Sequence, residues 1–199
     1  MKEFLEETKC VKYRADDIDN LHLTCKNYNV RISQGTEPEI IIRFHNNSFR
    51  KMNVSKNGSG IYMEEQMAIT FYEFFRMLEL MKDNLIEIEM PQTTDNLNIK
   101  IETGVTGIDI DEIHSQNIYL KSSSGQIRIR GVWITKKLTV HSVSGKVYCL
   151  LPGTVTDYDI DCRAERKDKK SPSYPSNPNA KRKIILRSNM YVPELDFTE

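Results

Sequence analysis

The sequence predicts an all-β protein wound as a β-solenoid, with coils about 20 residues long. Three observations carry that prediction. Residues 118–129 (IYLKSSSGQIRI) recur at 138–149 (LTVHSVSGKVYC) with a constant offset of 20. Residues 99–110 (IKIETGVTGIDI) match the same unit at offset 19, with Gly107 one place later than the glycine of the other copies. Each unit is two short runs of alternating apolar and polar residues around a polar turn, which is strand patterning. YDIDC (158–162) continues the first half of the unit, and LHLTCKNYNVRI (21–32) fits it with Asn in place of Gly.

Two short strands cannot bury their own apolar side, whereas stacked copies can. Stacking about 4.8 Å apart turns equivalent residues into columns. Ile99, Ile118, Leu138 and Tyr158 form one inner column, and Ile101, Leu120, Val140 and Ile160 the next. Ile108, Ile127 and Val147, then Ile110, Ile129 and Cys149, line the other side. Outside, Glu102, Lys121, His141 and Asp161 share a position, while Asp109 and Asp111 face Arg128 and Arg130. Opposite charges on neighbouring strands reinforce that register. Thr103, Ser122, Ser142 and Cys162 make a column of small side chains, suited to a tight corner that a larger residue would overpack. The turn words SSG, VSG, VTG and KNYN hold residues that tolerate positive φ. A β-sandwich of antiparallel hairpins shares the turn spacing but not the constant offset.

The chain reads as one solenoid domain over 1–199. N-terminal strands occupy 17–62, including IIIRFHN at 40–46 and IYMEE after the turn SKNGSG at 55–60. In 67–84, Phe71, Phe74 or Phe75, Leu78 and Met81 or Leu85 recur at helical spacing, which predicts one amphipathic helix capping or flanking the stack. LIEIEMP (85–91) returns to strand and opens the main repeats, 85–162. Residues 163–183 hold three prolines and eight basic against two acidic residues, so they read as a basic loop. The terminal strand and tail fill 184–199, with KIILRS as the strand and PELDFTE fraying.

Composition excludes more than it identifies. At 39% hydrophobic and 28% charged, the chain is not a disordered, collagen-like or coiled-coil sequence. Basic and acidic residues balance at 28 each, so no overall field draws it to nucleic acid or lipid, and nucleic acid is not expected as a partner. No run approaches the ~20 apolar residues of a membrane-spanning helix. The first twenty residues carry ten charges and lack the apolar core of a secretory signal. The expectation is a cytoplasmic protein, or a cell-surface one if an export signal was removed.

Chemical motifs are sparse. Cys10, Cys25, Cys149 and Cys162 form no CxxC pair and read as small buried residues. His22, His45, His114 and His141 lie outside any HExxH pattern, and no P-loop, GxSxG or GxGxxG occurs. No metal or cofactor is expected, and no catalytic residue is assigned. Asp157, Asp159 and Asp161, with Arg163, are the candidates for the alternative function, a carbohydrate-active lyase or hydrolase. The leading function is a non-enzymatic binding or scaffold module whose partner is an unknown protein or glycan. Its candidate binding residues lie in the basic loop: Arg163, Arg166, Lys167, Lys169, Lys170, Tyr174, Lys181 and Arg182.

The unit LxVxSxSGxVxI, seen at Ile118–Ile129 and Leu138–Cys149 and more weakly at Ile99–Ile110 and Leu21–Ile32, resembles a bacterial domain-of-unknown-function family labelled "putative adhesin". The likeness is close over 85–162 and looser over 20–60. It implies a right-handed, single-stranded β-helix-like solenoid with an interaction or surface-scaffold role. It supplies no catalytic residue, and it explains neither the 67–84 helix nor the 163–183 loop.

Overall fold

The computed structural model describes residues 7–46, 50–67, 84–92, 94–165, 172–175 and 177–198. These form β1 (Glu7–Arg14), β2 (Asn20–Cys25), β3 (Asn29–Gln34), β4 (Glu39–Asn46), β5 (Arg50–Asn57), β6 (Gly60–Met67), β7 (Leu85–Met90) and β8 (Asn98–Thr103). They continue as β9 (Ile108–Asp111), β10 (His114–Ser122), β11 (Ile127–Arg130), β12 (Trp133–Ser142), β13 (Val147–Pro152), β14 (Tyr158–Ala164), β15 (Arg182–Ser188) and β16 (Glu194–Thr198). The helix expected over 67–84 falls on residues 68–83, outside the described residues; Met67 itself closes β6.

The strands make two large sheets. The first runs β1-β4-β7-β3-β9-β11-β13-β16 and the second β14-β15-β12-β10-β8-β2-β6-β5. The repeat offset sets the pairing. β10 lies parallel to β12 with Ile118 against Leu138, and β11 parallel to β13 with Ile127 against Val147. At offset 19, Ile99 meets Ile118 and Ile108 meets Ile127. The 21–32 copy stacks on the other side of the 99–110 copy, Leu21 against Ile99 and Val30 against Ile108.

The interior is a set of apolar columns. In the second sheet Met63, Leu23, Ile101, Leu120, Val140 and Leu186 stand in one row, each at most 2% exposed. In the first sheet Ile88, Ile32, Ile110, Ile129, Cys149 and Leu195 form the facing kind of row. Leu120 is fully buried in the middle of its row. Leu120→Ala is therefore expected to cost about 2–5 kcal/mol, read as a shift of the urea midpoint at unchanged slope. A loss well under 1 kcal/mol would place the side chain outside the core.

The order at the two ends departs from the sequence. β6 and β7 arrive after β2 and β3, yet each lies on the far side of them from the central repeats, with Ile86 against Val30 and Ile61 against Leu21. At the other end β15 enters between β12 and β14: Leu138 meets Ile184, and Ile184 meets Ile160. This corrects the column assigned to Tyr158, which pairs instead with Arg182. The 158–162 partial copy is thus displaced by one strand and two residues, and KIILRS, whose Ile184 and Leu186 are fully enclosed, takes the place beside β12. The outer position after His141 is occupied by Arg187, not Asp161, and the small-residue column runs Cys25, Thr103, Ser122, Ser142, Ser188 and Ala164, without Cys162.

Several further expectations change. PELDFTE does not fray: it supplies β16, parallel to β13, with Leu195 only 4% exposed. The N-terminal ETKCVKYR forms β1, antiparallel to β4, and β5 pairs antiparallel with β6. Cys10 is exposed, while Cys25, Cys149 and Cys162 are buried free thiols, as expected. Burial first, then the charge of Glu65, pushes the Cys25 thiol up to about 12, so it stays protonated and inert.

The corners explain the small column. Cys25, Thr103 and Ser142 donate from their side chains to the carbonyls of Tyr28, Thr106 and Gly145, three residues on. Ser122 and Ser188 accept from the N–H groups of Gly125 and Tyr191, again three residues on. Each side chain thus satisfies a turn that leaves the ladder, in addition to fitting a tight corner. Positive φ is not the reason for the turn glycines: among glycines it occurs at Gly58, Gly131 and Gly153. A Cβ on Gly125 would stand 1.7 Å from the Thr106 carbonyl oxygen, and one on Gly145 would stand 1.9 Å from that of Gly125.

Candidate functional site

Alternation along each strand sends every second side chain outward, and parallel stacking aligns them across the sheet. On the first sheet one outward row reads Arg43 (β4), Glu87 (β7), Arg31 (β3), Asp109 (β9), Arg128 (β11), Tyr148 (β13) and Glu194 (β16). From β4 to β11 cation and anion alternate strand by strand. The expected pairs form, Arg128 with Asp109 at 3.5 Å and Arg130 with Asp111 at 2.6 Å. Arg31 meets Glu87 at 3.2 Å, and Arg43 reaches Glu89 at 2.5 Å. These groups are roughly half exposed, so each pair stabilises by under about 1 kcal/mol; the row matters as a presented surface.

A groove of about 560 Å³ opens on this face, lined by Arg31, Arg43, His45, Asn84, Asp109 and Arg128 among others. Its floor is low where Gly107 stands, between the Asn29 side chain, which accepts from the Gly107 N–H at 2.9 Å, and Gln126. It shares Gln126 and Arg128 with a second hollow of about 380 Å³ that reaches Tyr148, Arg130 and Asp196. Asn84 is 7% exposed, and its Nδ2 has no hydrogen-bond partner among the described residues; nor has Asp109 Oδ1. The sequence located the Asp109–Arg128 pair of this face but not the groove, because Arg43 and Glu87 lie outside the repeat copies and the outer charges of the 21–32 copy, Arg31 among them, were not compared with the others. The signal was present in the alternation of NVRIS, IIRFH and LIEIE.

The second sheet presents a different surface. Asn117 Nδ2 donates to Asn98 Oδ1 at 2.7 Å and Asn98 Nδ2 to Asn20 Oδ1 at 3.3 Å, an amide ladder across three coils. His141 lies beside Tyr119 at 5.8 Å, between Lys121 and Arg187 in its row. Burial, then Arg187, holds its pKa below the ordinary value, with Lys121 and Lys137 adding to the shift and Glu165 opposing it. The unfolded histidine titrates near about 6.5. Acidification from there protonates the unfolded chain first, so stability falls as pH drops through about 6.5 until the folded value is passed. The melting temperature of His141→Gln is expected to fall less between pH 7.5 and 5 than that of the parent; equal slopes would refute the assignment.

The basic-loop candidates scatter. Arg166, Lys167, Lys169 and Lys170 lie outside the described residues. Arg163, next to last in β14, donates to Asp161 at 2.8 Å. Arg182 lies over the Tyr158 ring at 4.5 Å and reaches Asp157 at 3.6 Å, and Trp133 stands 5.9 Å away. Tyr174 packs on the core and donates its hydroxyl to the Leu195 carbonyl at 3.3 Å. Lys181 is exposed. Part of the expected loop is docked: the Asn177 N–H donates to the Tyr158 carbonyl and its Nδ2 to that of Thr156.

The three aspartates of the enzyme alternative are engaged by cations. Asp159 receives Lys183 at 2.6 Å, and Asp161 is held by Arg187 and Arg163. The hydrogen bond from Arg187 holds the Asp161 carboxyl below the usual range, and the Thr154 backbone N–H does the same for Asp157. A glycosidase proton donor needs the opposite shift. Among the described residues no cluster of three His, Cys, Asp or Glu could hold a metal, and no helix is long and apolar enough to cross a membrane.

The fold and its outer rows define an all-β protein of mostly parallel strands in two sheets. The Toastrack DUF4097 family model matches residues 18–184, and the chain belongs to that family. The resemblance to a "putative adhesin" family is thereby upheld. No curated protein matches the sequence. Among solved structures, a "putative cell adhesion protein" from Clostridium sporogenes is similar at 12% identity and a TM-score of 0.55, covering 98% of this chain and 99% of that one. A "putative adhesin" from Bacteroides fragilis matches at 10% identity and a TM-score of 0.36, covering 96% of this chain and 97% of that one.

Proposed function

We propose that the protein is a non-enzymatic binding or scaffold module, built as a single right-handed β-solenoid domain. Support comes first from the outer face of the first sheet. Seven strands there align one outward row of mostly charged side chains, held by the same register that builds the core. Such a row is a rigid recognition surface. The basic segment 163–183 offers a second contact through its lysines and arginines. The lowered pKa of Asp157 and of Asp161 speaks against either as the proton donor of a hydrolase. The test is incubation of the full chain with acidic polysaccharides, followed by chromatography of chain length. No shortening is expected. Turnover that Asp159→Ala or Asp161→Ala abolishes would overturn the reading.

A further inference from the structure

We propose that the groove on the first sheet binds an acidic glycan, a chain of carboxylate-bearing sugars laid across the strands; this deepens the binding-module reading and rests on it. The cations of the row stand on alternate strands: Arg43 on β4, Arg31 on β3 and Arg128 on β11. Two strand spacings separate successive arginines, about 9–10 Å. A single small anion uses one such site, whereas a polymer with a regularly repeated carboxylate uses all three.

The chemistry of the walls points the same way. A guanidinium carries five N–H donors in a fork that fits a carboxylate through two bonds. Glu87 and Asp109 take one nitrogen each from Arg31 and Arg128, and Glu89 takes two from Arg43. Donors remain on every arginine. Asn84 Nδ2 and Asp109 Oδ1 are an unpartnered donor and an unpartnered acceptor on side chains that line the groove. Leaving such groups unmet is unfavourable. A sugar hydroxyl both accepts and donates, so it offers a partner of either kind to these two side chains. A glycan carries such hydroxyls on every ring, whereas the deoxyribose-phosphate backbone of DNA carries none along its length, which favours a glycan over DNA. Gly107 lines the groove without a side chain of its own, and the continuation past Gln126 leads to the Tyr148 side chain.

Calorimetry of the full chain with trigalacturonate, galactotriose and a short single-stranded DNA tests this. Trigalacturonate is expected to bind saturably, at least about tenfold more tightly than the other two. Arg31→Gln, at a half-exposed position, and Asn84→Leu are each expected to weaken it by about tenfold or more. The melting temperature of Asn84→Leu should not fall, because the change removes an unmet donor. Equal binding of galactotriose, tighter binding of DNA, or a trigalacturonate affinity untouched by Arg31→Gln would overturn the site. Absence of binding would overturn the site and leave the scaffold reading standing. Recovery of a shortened trimer would overturn the non-enzymatic reading while the site stands.

Discussion

Gly125→Ala is expected to lower stability by about 3 kcal/mol or more, beyond the usual cost of overpacking a core. The added Cβ would lie 1.7 Å from the Thr106 carbonyl oxygen and 2.1 Å from its carbon. Both are backbone atoms of the neighbouring coil, so no side chain can swing aside. Relief requires the two turns to separate, and that breaks the backbone bonds that Ser123 and Ser124 donate to Thr103 and Gly104. Gly58→Ala is the contrasting change. Nothing lies within 4 Å of its Cβ, but φ is +58°. Its cost is the left-handed backbone alone, about 1–2 kcal/mol. Thermal melting of both variants separates close approach from backbone conformation as the source of the glycine requirement. Equal losses would refute the close stacking of turns.

Ending the chain after Glu165 is expected to abolish cooperative folding. A sequentially wound stack would survive this truncation, since 184–199 would be a mere terminal strand. In the structure the truncation removes β15 from between β12 and β14, and β16 from beside β13. It takes Ile184, Leu186 and Leu195 out of the core and leaves β14 without a neighbour. Three buried aliphatic side chains at about 1.5–3 kcal/mol each are comparable with the whole stability of a typical domain. Circular dichroism should show a broad transition or none. A sharp melt close to that of the full chain would mean that β15 does not occupy the interior.

The central coils were legible because their apolar alternation, turn and outer charges all repeat at one offset. Ile118 against Leu138 and Asp111 against Arg130 follow from letters alone. The swapped ends were not legible. YDIDC and KIILRS both suit the place beside β12, and the sequence holds no rule for choosing between them. The choice rests on burial: Ile184 and Leu186 are fully enclosed, while Ile160 is only partly so. The corner serines were located but read as space-saving, because hydrogen bonding to a turn is invisible until the turn has a shape. The groove was missed because its arginines come from strands 12 to 97 residues apart in sequence, brought side by side by the crossings between β3, β4, β7 and β11. Arg50 was missed altogether: it is fully buried, lies over Tyr28 at 5.5 Å and donates to the Asn27 carbonyl at 3.2 Å.

The leapfrogged ends bear on how the stack opens. In a helix of coils wound in strict sequence, the last revolution can lift away alone, and hydrogen exchange would show protection declining smoothly toward each pole. Here β15 is clasped by β12 and β14, and β2 by β8 and β6, so neither can exchange its amides by simple peeling. Sub-global openings of the poles must instead release two non-adjacent pieces of chain together, which ties their opening to that of the middle.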